Sequence, residues 1–264
     1  MENIIISFVI LEYNSLNDVR NCIESIKCSL ALHKYEIIVS SNSCYSNPIR
    51  KSIESEFRDS LWLFNERNGG FAYGMNRGLM KTTGKYVVIV NPDVLIISGM
   101  LDMLNFMDEN IAVGAIGPRI VDNEGVLQDS CREYVSIHRF LIRNLTRIFS
   151  RKSLIYERDI DYAKVQTVDW LVGAFILVRR SALIDSNGLD ERYFLFAEDM
   201  DWCTRIRLMG YEIVYFPKTI VNYKGSRSAR KPGRFSIIFL KSHLRYWLKY
   251  GFFYGYPKRI EMSF

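Results

Sequence analysis

Histidine is scarce in this chain. Three occur in 264 residues (His33, His138 and His243), too scattered to form a histidine-rich metal site. The five cysteines show none of the paired spacings of a zinc site or a disulfide framework, which points to a reducing, cytoplasmic setting. No apolar run approaches the roughly 18 residues needed to span a membrane. The opening Met1-Glu2-Asn3 has no basic stretch ahead of Ile4-Ile5-Ile6, so it reads as the lead into a first strand and not as a signal peptide. Acidic residues are missing from a long stretch near the C-terminus. Between Pro217 and Arg259 stand eleven Lys/Arg and no Asp/Glu, which leaves 24 basic against 29 acidic residues elsewhere. The net charge of +6 therefore belongs to the C-terminal segment, and no nucleic acid is expected as a partner. At 48% hydrophobic residues, the chain suits one large α/β domain, or one domain with an appended tail.

What is present alternates. Ile4 to Leu11 is an almost wholly apolar run, as expected of a strand covered on both faces, and Tyr13-Asn14-Ser15 follows it. Asn14 or Ser15 can cap the next helix, whose apolar face is Val19, Cys22, Ile23, Ile26 and Leu30. A second strand, Tyr35 to Val39, leads into Ser40-Ser41-Asn42-Ser43. Asn47-Pro48 opens a helix with Ile49, Ile53 and Phe57 along one stripe, and Leu61 to Phe64 is a third strand. Such alternation predicts a parallel sheet with right-handed crossovers. The polar turns after its strands would meet at one edge, where a nucleotide would bind.

Asn68-Gly69-Gly70 precedes a helix with Ala72, Met75 and Leu79 inward. Glycine permits close backbone approach there, and the free N–H groups of a helix start suit a phosphate or a polar sugar. The stretch lacks the Lys-Ser/Thr ending of a Walker loop and the glycine spacing of a dinucleotide site. The strand from Lys85 to Val90 then stops at Asn91-Pro92-Asp93, because proline cannot donate to a sheet ladder. Asp93 is read either as a turn former or as a carboxylate holding a divalent cation for a phosphate-bearing ligand.

Further on, Ser98 to Asp108 reads as a helix with Met100, Leu101, Leu104 and Met107 inward, and Val113 to Val121 as a strand with a hairpin return at Val126 to Gln128. Arg132 to Asp161 has no clear period and reads as a helix or a loop over the site. Val168 to Val178 is a long apolar strand with a small spot at Gly173-Ala174, and Trp170 is either core or a platform for a sugar ring. Glu198, Asp199 and Asp201 open a helix whose later face is Trp202, Ile206 and Met209. One acid suits the positive end of a helix, but three repel unless some face a cation, a substrate, Arg205 or Arg207. Repulsion and burial raise a carboxyl pKa, which favours general-base chemistry. Tyr211 to Tyr215 closes the sheet. Phe235 to Tyr250 has a helical period, with Ile237, Leu240, Leu244 and Trp247 on one side, widened by Phe239, Tyr246 and Leu248, and with Lys241, Arg245 and Lys249 on the other; Phe252-Phe253-Tyr254 follows. This is either a helix packed on the core or one lying on an anionic membrane.

Together these pieces resemble the family 2 glycosyltransferases with a GT-A fold, especially the bacterial rhamnosyltransferase-like branch. The matching stretches are Val9 to Asn14, Asn68 to Asn76, Asn91 to Val94, Trp170 to Ala174, and Glu198 to Arg205 with Gly210-Tyr211, in family order over residues 4 to 250. The resemblance implies a GT-A domain over residues 1–225, a mixed and mostly parallel sheet flanked by helices, with a basic amphipathic segment at 226–264. It implies an inverting transfer in which Asp199 is the base, with Glu198 and Asp201 beside it. Tyr13, Asn14, Ser41, Asn42, Asn68, Gly70, Phe71, Asn76 and Asn91 would hold the donor. Trp170, Gly173, Ala174 and Arg205 would face sugar and acceptor. Asp93, with Asn222 where the family often has a histidine, would hold Mg²⁺ or Mn²⁺. Ser41 stands where the family usually has an aspartate that reads the base.

The expected activity is sugar transfer from a dTDP- or UDP-linked donor, with dTDP-L-rhamnose the specific expectation. The acceptor would be a lipid-linked oligosaccharide in bacterial surface polysaccharide synthesis, and the enzyme would sit peripherally on the inner face of the cell membrane. A homodimer is left open. Rival readings are another donor (a UDP-hexose or a GDP-sugar) and a non-catalytic sugar-nucleotide or glycan-binding module. A nucleotidyltransferase would need a basic glycine-rich loop after the first strand, and Tyr13-Asn14-Ser15 is not one.

Overall fold

The computed structural model describes residues 5–30, 34–134, 160–225 and 234–251. Ile4, most of Arg132–Asp161 and Phe252-Phe253-Tyr254 lie outside them. The strands are β1 (Ile6–Glu12), β2 (Tyr35–Ser41), β3 (Leu61–Phe64), β4 (Tyr86–Val90), β5 (Val94–Ser98), β6 (Val113–Val121), β7 (Leu127–Gln128), β8 (Cys131–Arg132), β9 (Gln166–Thr167), β10 (Trp170–Leu171), β11 (Phe175–Arg179) and β12 (Glu212–Tyr223). The helices are α1 (Leu16–Ser29), α2 (Asn47–Glu56), α3 (Phe71–Leu79), α4 (Met100–Glu109), α5 (Arg180–Asp185), α6 (Glu198–Leu208) and α7 (Arg234–Tyr250).

The main sheet runs β3-β2-β1-β4-β11-β6-β12-β5. Its first four strands are parallel, as the strand–helix alternation predicts. Beyond β4 it becomes mixed: β11 is antiparallel to β4 and β6, and β12 is parallel to β6 but antiparallel to β5. Alternate residues of each central strand enter two separate cores. Phe8, Ile10, Val88 and Val90 pack with α1, α2 and α4, while Val9, Leu11, Val87 and Ile89 pack with α3, α5, α6 and α7. Helices thus cover both faces, which is why these strands read as unbroken apolar runs. The same arrangement places one set of strand ends on a common edge. Glu12 is in register with Ser41, Ser41 with Phe64, and Val90 with Phe175.

Several expectations change. Val94–Ser98 is a strand, and the following helix begins only at Met100, so Met103 is buried while Leu101 is exposed. The single strand expected from Val168 to Val178 is broken into β10 and β11, with Gly173-Ala174 at the break. The closing strand runs to Tyr223, with irregular register between Phe216 and Ile220. Ile49 and Met209 face solvent. In α7 the apolar residues divide: Tyr246 and Trp247 are buried and Phe239 packs against the same core, whereas Ile237, Leu240, Leu244 and Leu248 are exposed.

Candidate active site

The common edge is built around a buried glutamate that the sequence reading passed over. Glu12, at the end of β1, is fully buried. Its carboxylate accepts from Ser41 Oγ at 2.5 Å, Ser43 Oγ at 2.8 Å, Tyr45 OH at 3.0 Å and the Ser15 N–H at 2.9 Å. Ser41 therefore spends its proton on Glu12, which fixes the direction of its lone pairs. Where the resemblance leads one to expect an aspartate after β2, a carboxylate is present but carried by β1. The signal was legible: a charged residue closing an otherwise apolar buried run. Asn14, with positive φ (52°), donates its N–H to Ser43 Oγ at 2.7 Å, and the Tyr13 ring beside it is exposed.

A second network shapes the glycine loop. Asn42 Nδ2 donates to the Gly70 carbonyl at 3.0 Å, and Asn65 Nδ2 donates to Asn42 Oδ1 at 2.9 Å. The Gly70 N–H returns to Asn68 Oδ1 at 3.0 Å. Gly70 has φ +94°, and a Cβ there would stand 2.3 Å from the Phe194 carbonyl oxygen. Only glycine meets both demands. The next residue, Phe71, donates its N–H to that same carbonyl at 2.7 Å, so the glycine loop abuts the segment leading into α6.

At the end of β4, the Asn91 N–H bonds the Ala174 carbonyl at 2.9 Å, and Asn91 Nδ2 reaches Tyr223 OH at 3.3 Å. Asp93 lies against the end of β12, its carbonyl 3.5 Å from the Lys224 nitrogen. Asn222, two residues before Lys224, has a buried side-chain oxygen with no hydrogen-bond partner. A carboxylate and an orphaned amide oxygen are hard ligands that fit Mg²⁺ or Mn²⁺. Among the described residues no group of three or more His, Cys, Asp or Glu is placed to hold a metal ion.

The carboxylates of α6 separate by environment. Asp199 Oδ2 accepts the Gly173 N–H at 2.9 Å, and Oδ1 accepts the Met200 N–H at 2.8 Å. Burial pushes its pKa up, opposed by those two N–H groups and by the charge of Arg132. Glu198 is buried, with one oxygen unpartnered; burial and the negative charge of Asp199 push it well above the ordinary range. Burial thus raises both carboxyls, while the Gly173 and Met200 N–H groups and the Arg132 charge favour the ionised form of Asp199.

Asp201 is corrected. It is fully buried and turned toward α7: Arg205 Nε stands 2.8 Å and Lys249 Nζ 2.6 Å from its two oxygens, and Tyr250 OH donates at 3.1 Å. Its charge is spent on structure. Arg205, expected at the acceptor, is committed to Asp201 and the Ser186 carbonyl. Asn76, expected at the donor, clamps the turn at Leu189 through both its amide atoms, at 2.8 and 2.9 Å. Trp170 is buried, its indole N–H on the Glu133 carbonyl at 3.0 Å and the Arg132 guanidinium over its ring at 5.4 Å, so core packing prevails over an open sugar platform. Arg132 escaped the sequence reading because it opens the segment with no period.

A family model described as glycosyl transferase family 2 matches residues 7–186. An N-acetylglucosaminyl-diphospho-decaprenol L-rhamnosyltransferase of Mycobacterium tuberculosis is 32% identical over 152 residues, 56% of this chain and 50% of that protein. The rhamnosyltransferase WbbL of Escherichia coli K12 is 29% identical over 134 residues, 50% of this chain and 49% of its own. The chain thus spans about half the length of these curated relatives. A solved mannosyltransferase of Pyrobaculum calidifontis, in complex with GDP-mannose and Mn²⁺, superposes with a TM-score of 0.60 at 18% identity, covering 98% of this chain and 68% of that one. The mixed sheet with helices on both faces is the GT-A fold, and the chain belongs to glycosyl transferase family 2.

Proposed function

We propose that the protein is an inverting glycosyltransferase that moves a sugar, L-rhamnose from dTDP-L-rhamnose, onto a lipid-linked saccharide in surface polysaccharide synthesis. The observation that carries the reading is Asp199, held by the Gly173 and Met200 N–H groups beside the buried Glu198, on the helix whose lead-in segment abuts the glycine loop. The names of the two rhamnosyltransferase relatives, one acting on a diphospho-decaprenol acceptor, support the donor and acceptor classes.

In this reading Tyr13 and Ser41 receive the base, Ser41 oriented by Glu12 behind it, and Asn68, Gly70 and Phe71 the rest of the donor. Asp93 and Asn222 hold a divalent cation, which when bound offsets charge on the leaving diphosphate. Asp199 takes the proton from an acceptor hydroxyl. That oxygen bonds to the anomeric carbon as the bond from that carbon to the diphosphate oxygen breaks on the opposite face, and the configuration inverts. Gly173, whose added Cβ would lie 3.3 Å from that of Asp199, leaves room for the hydroxyl. The acceptor lipid would lie in the inner face of the cell membrane, with the exposed aliphatic residues of α7 turned toward it. No helix among the described residues is long and apolar enough to cross a bilayer.

A thermal-shift screen against nucleotide sugars, with and without Mn²⁺ or Mg²⁺, tests the reading, since a ligand that binds the folded state raises its melting temperature. Stabilisation by dTDP-L-rhamnose that needs the metal and vanishes in Asp93→Ala is expected, together with donor turnover on membrane lipid extract. Donor binding without turnover would favour the non-catalytic module, and stabilisation by a UDP- or GDP-sugar alone would replace the donor.

A further inference from the structure

The backbone just ahead of the carboxylate pair is strained. Phe196 (φ 69°) and Ala197 (φ 63°) are consecutive left-handed residues, and neither is glycine. Residues with a Cβ avoid this region, a bulky one most of all, and such strain persists only where the surroundings over-determine it. On one side the start of α3 contributes the bond from the Phe71 N–H to the Phe194 carbonyl. On the other side the contacts come from α7. The hydroxyl of Ser242, a buried residue, donates to the Leu195 carbonyl at 2.8 Å. The Phe239 ring meets that of Phe196 edge-on, with centroids 5.5 Å apart and planes at 69°. Further along α6, Lys249 and Tyr250 engage Asp201, and the Tyr246 and Thr204 hydroxyls lie 2.8 Å apart. One helix therefore grips the chain both before and after Asp199, which itself reaches Gly173 through a single hydrogen bond.

We propose that α7 is a clamp that positions the base: Ser242 and Phe239 hold Phe196-Ala197 in the left-handed conformation, and this conformation sets the start of α6 so that Asp199 meets Gly173. Ser242 and Phe239 act through the backbone as positioning residues. The proposal rests on the transferase reading for its activity readout, but its structural readout is independent of that reading.

The test uses the full chain with Ser242→Ala, Phe239→Ala and, as conservative variants, Ser242→Thr and Phe239→Leu. Amide hydrogen exchange is followed across residues 194–200 and in β4, alongside kcat and donor affinity. The alanine variants should exchange faster at 194–200 with β4 unchanged, and kcat should fall in both, by about fivefold in Ser242→Ala, the worth of one buried hydrogen bond, with donor affinity held within about twofold. Ser242→Thr should restore both, and Phe239→Leu carries the test if the alanine variant fails to fold. Unchanged exchange at 194–200, or kcat and donor affinity falling together, would overturn the clamp. Should the unmodified chain transfer no sugar, the transferase reading fails and exchange alone decides the clamp.

Discussion

Adjacent acids seldom share one role. Glu198 and Asp199 are neighbours in sequence, yet one has an unpartnered buried oxygen and the other has two N–H donors. The two N–H donors therefore favour the ionised form of Asp199, and two consequences follow. Asp199→Asn keeps the shape of the side chain and one of its two acceptor oxygens, sets an amide NH2 against the other N–H donor, and cannot accept a proton, so transfer should fall by about 10²–10⁴-fold with donor affinity nearly unchanged. Because burial raises the Asp199 pKa, the acid limb of kcat in the unmodified enzyme should lie above the ordinary carboxylate range, with activity lost as pH falls through it. For Glu198 the sign concerns stability. Its folded pKa lies above the ordinary 4.5, so the folded state holds a proton that the unfolded state releases, and stability drains away as pH rises above that value. Glu198→Gln should flatten this slope, and melting temperatures across pH would show it; a parallel slope in the variant would mean that Glu198 is ionised in the folded protein.

The elements explain what could and could not be read in advance. β1, β2 and β4 were legible because helices cover both of their faces, so nearly every residue had to be apolar. β5 was not, because it starts immediately after Asn91-Pro92-Asp93, where a turn into a helix was the simpler pattern. The partners of Asn76 and Arg205 were not legible, because a polar residue on a helix near a site looks the same whether it faces ligand or braces a turn. The faces of α7 were misassigned because both are apolar: the period shows a stripe, and only packing decides that the aromatic residues turn inward. Gly70 is the element-scale prediction. It joins the glycine loop to the segment before α6, and its conformation (φ 94°, ψ −176°) is essentially closed to other residues. Gly70→Ala should cost about 1–3 kcal/mol of stability from strain alone. Its Cβ would also push against the Phe194 carbonyl, so donor binding should be lost in the folded fraction. Titration of the donor by calorimetry, at a temperature where the variant remains folded, checks this; retained affinity would separate the loop from donor binding.

For the whole molecule, the distribution of charge matters more than its sum. Eleven Lys/Arg between Pro217 and Arg259 stand unopposed in sequence, and α7 lies within that stretch. Lys249 is consumed by Asp190 and Asp201, but Lys241 and Arg245 remain exposed beside Ile237, Leu240, Leu244 and Leu248. A helix that spends its aromatic side on the core and leaves an aliphatic stripe flanked by cations in solvent matches an anionic bilayer surface. The stripe spans Ile237 to Leu248, twelve residues or about 16 Å of helix, long enough to lie along a surface and too short to enter as a span. Replacing Leu240 and Leu244 by glutamate removes apolar area and adds repulsion, while Phe239, Ser242 and Tyr246 on the inner side stay in place. Vesicle sedimentation should show binding to phosphatidylglycerol vesicles reduced about tenfold or more relative to the unmodified chain. Binding to neutral phosphatidylcholine should be weak for both, and added salt should weaken only the anionic case, since screening acts on the charge term and leaves apolar insertion alone. Equal sedimentation of the two proteins would place the membrane contact elsewhere, and would leave α7 with its inward duty alone.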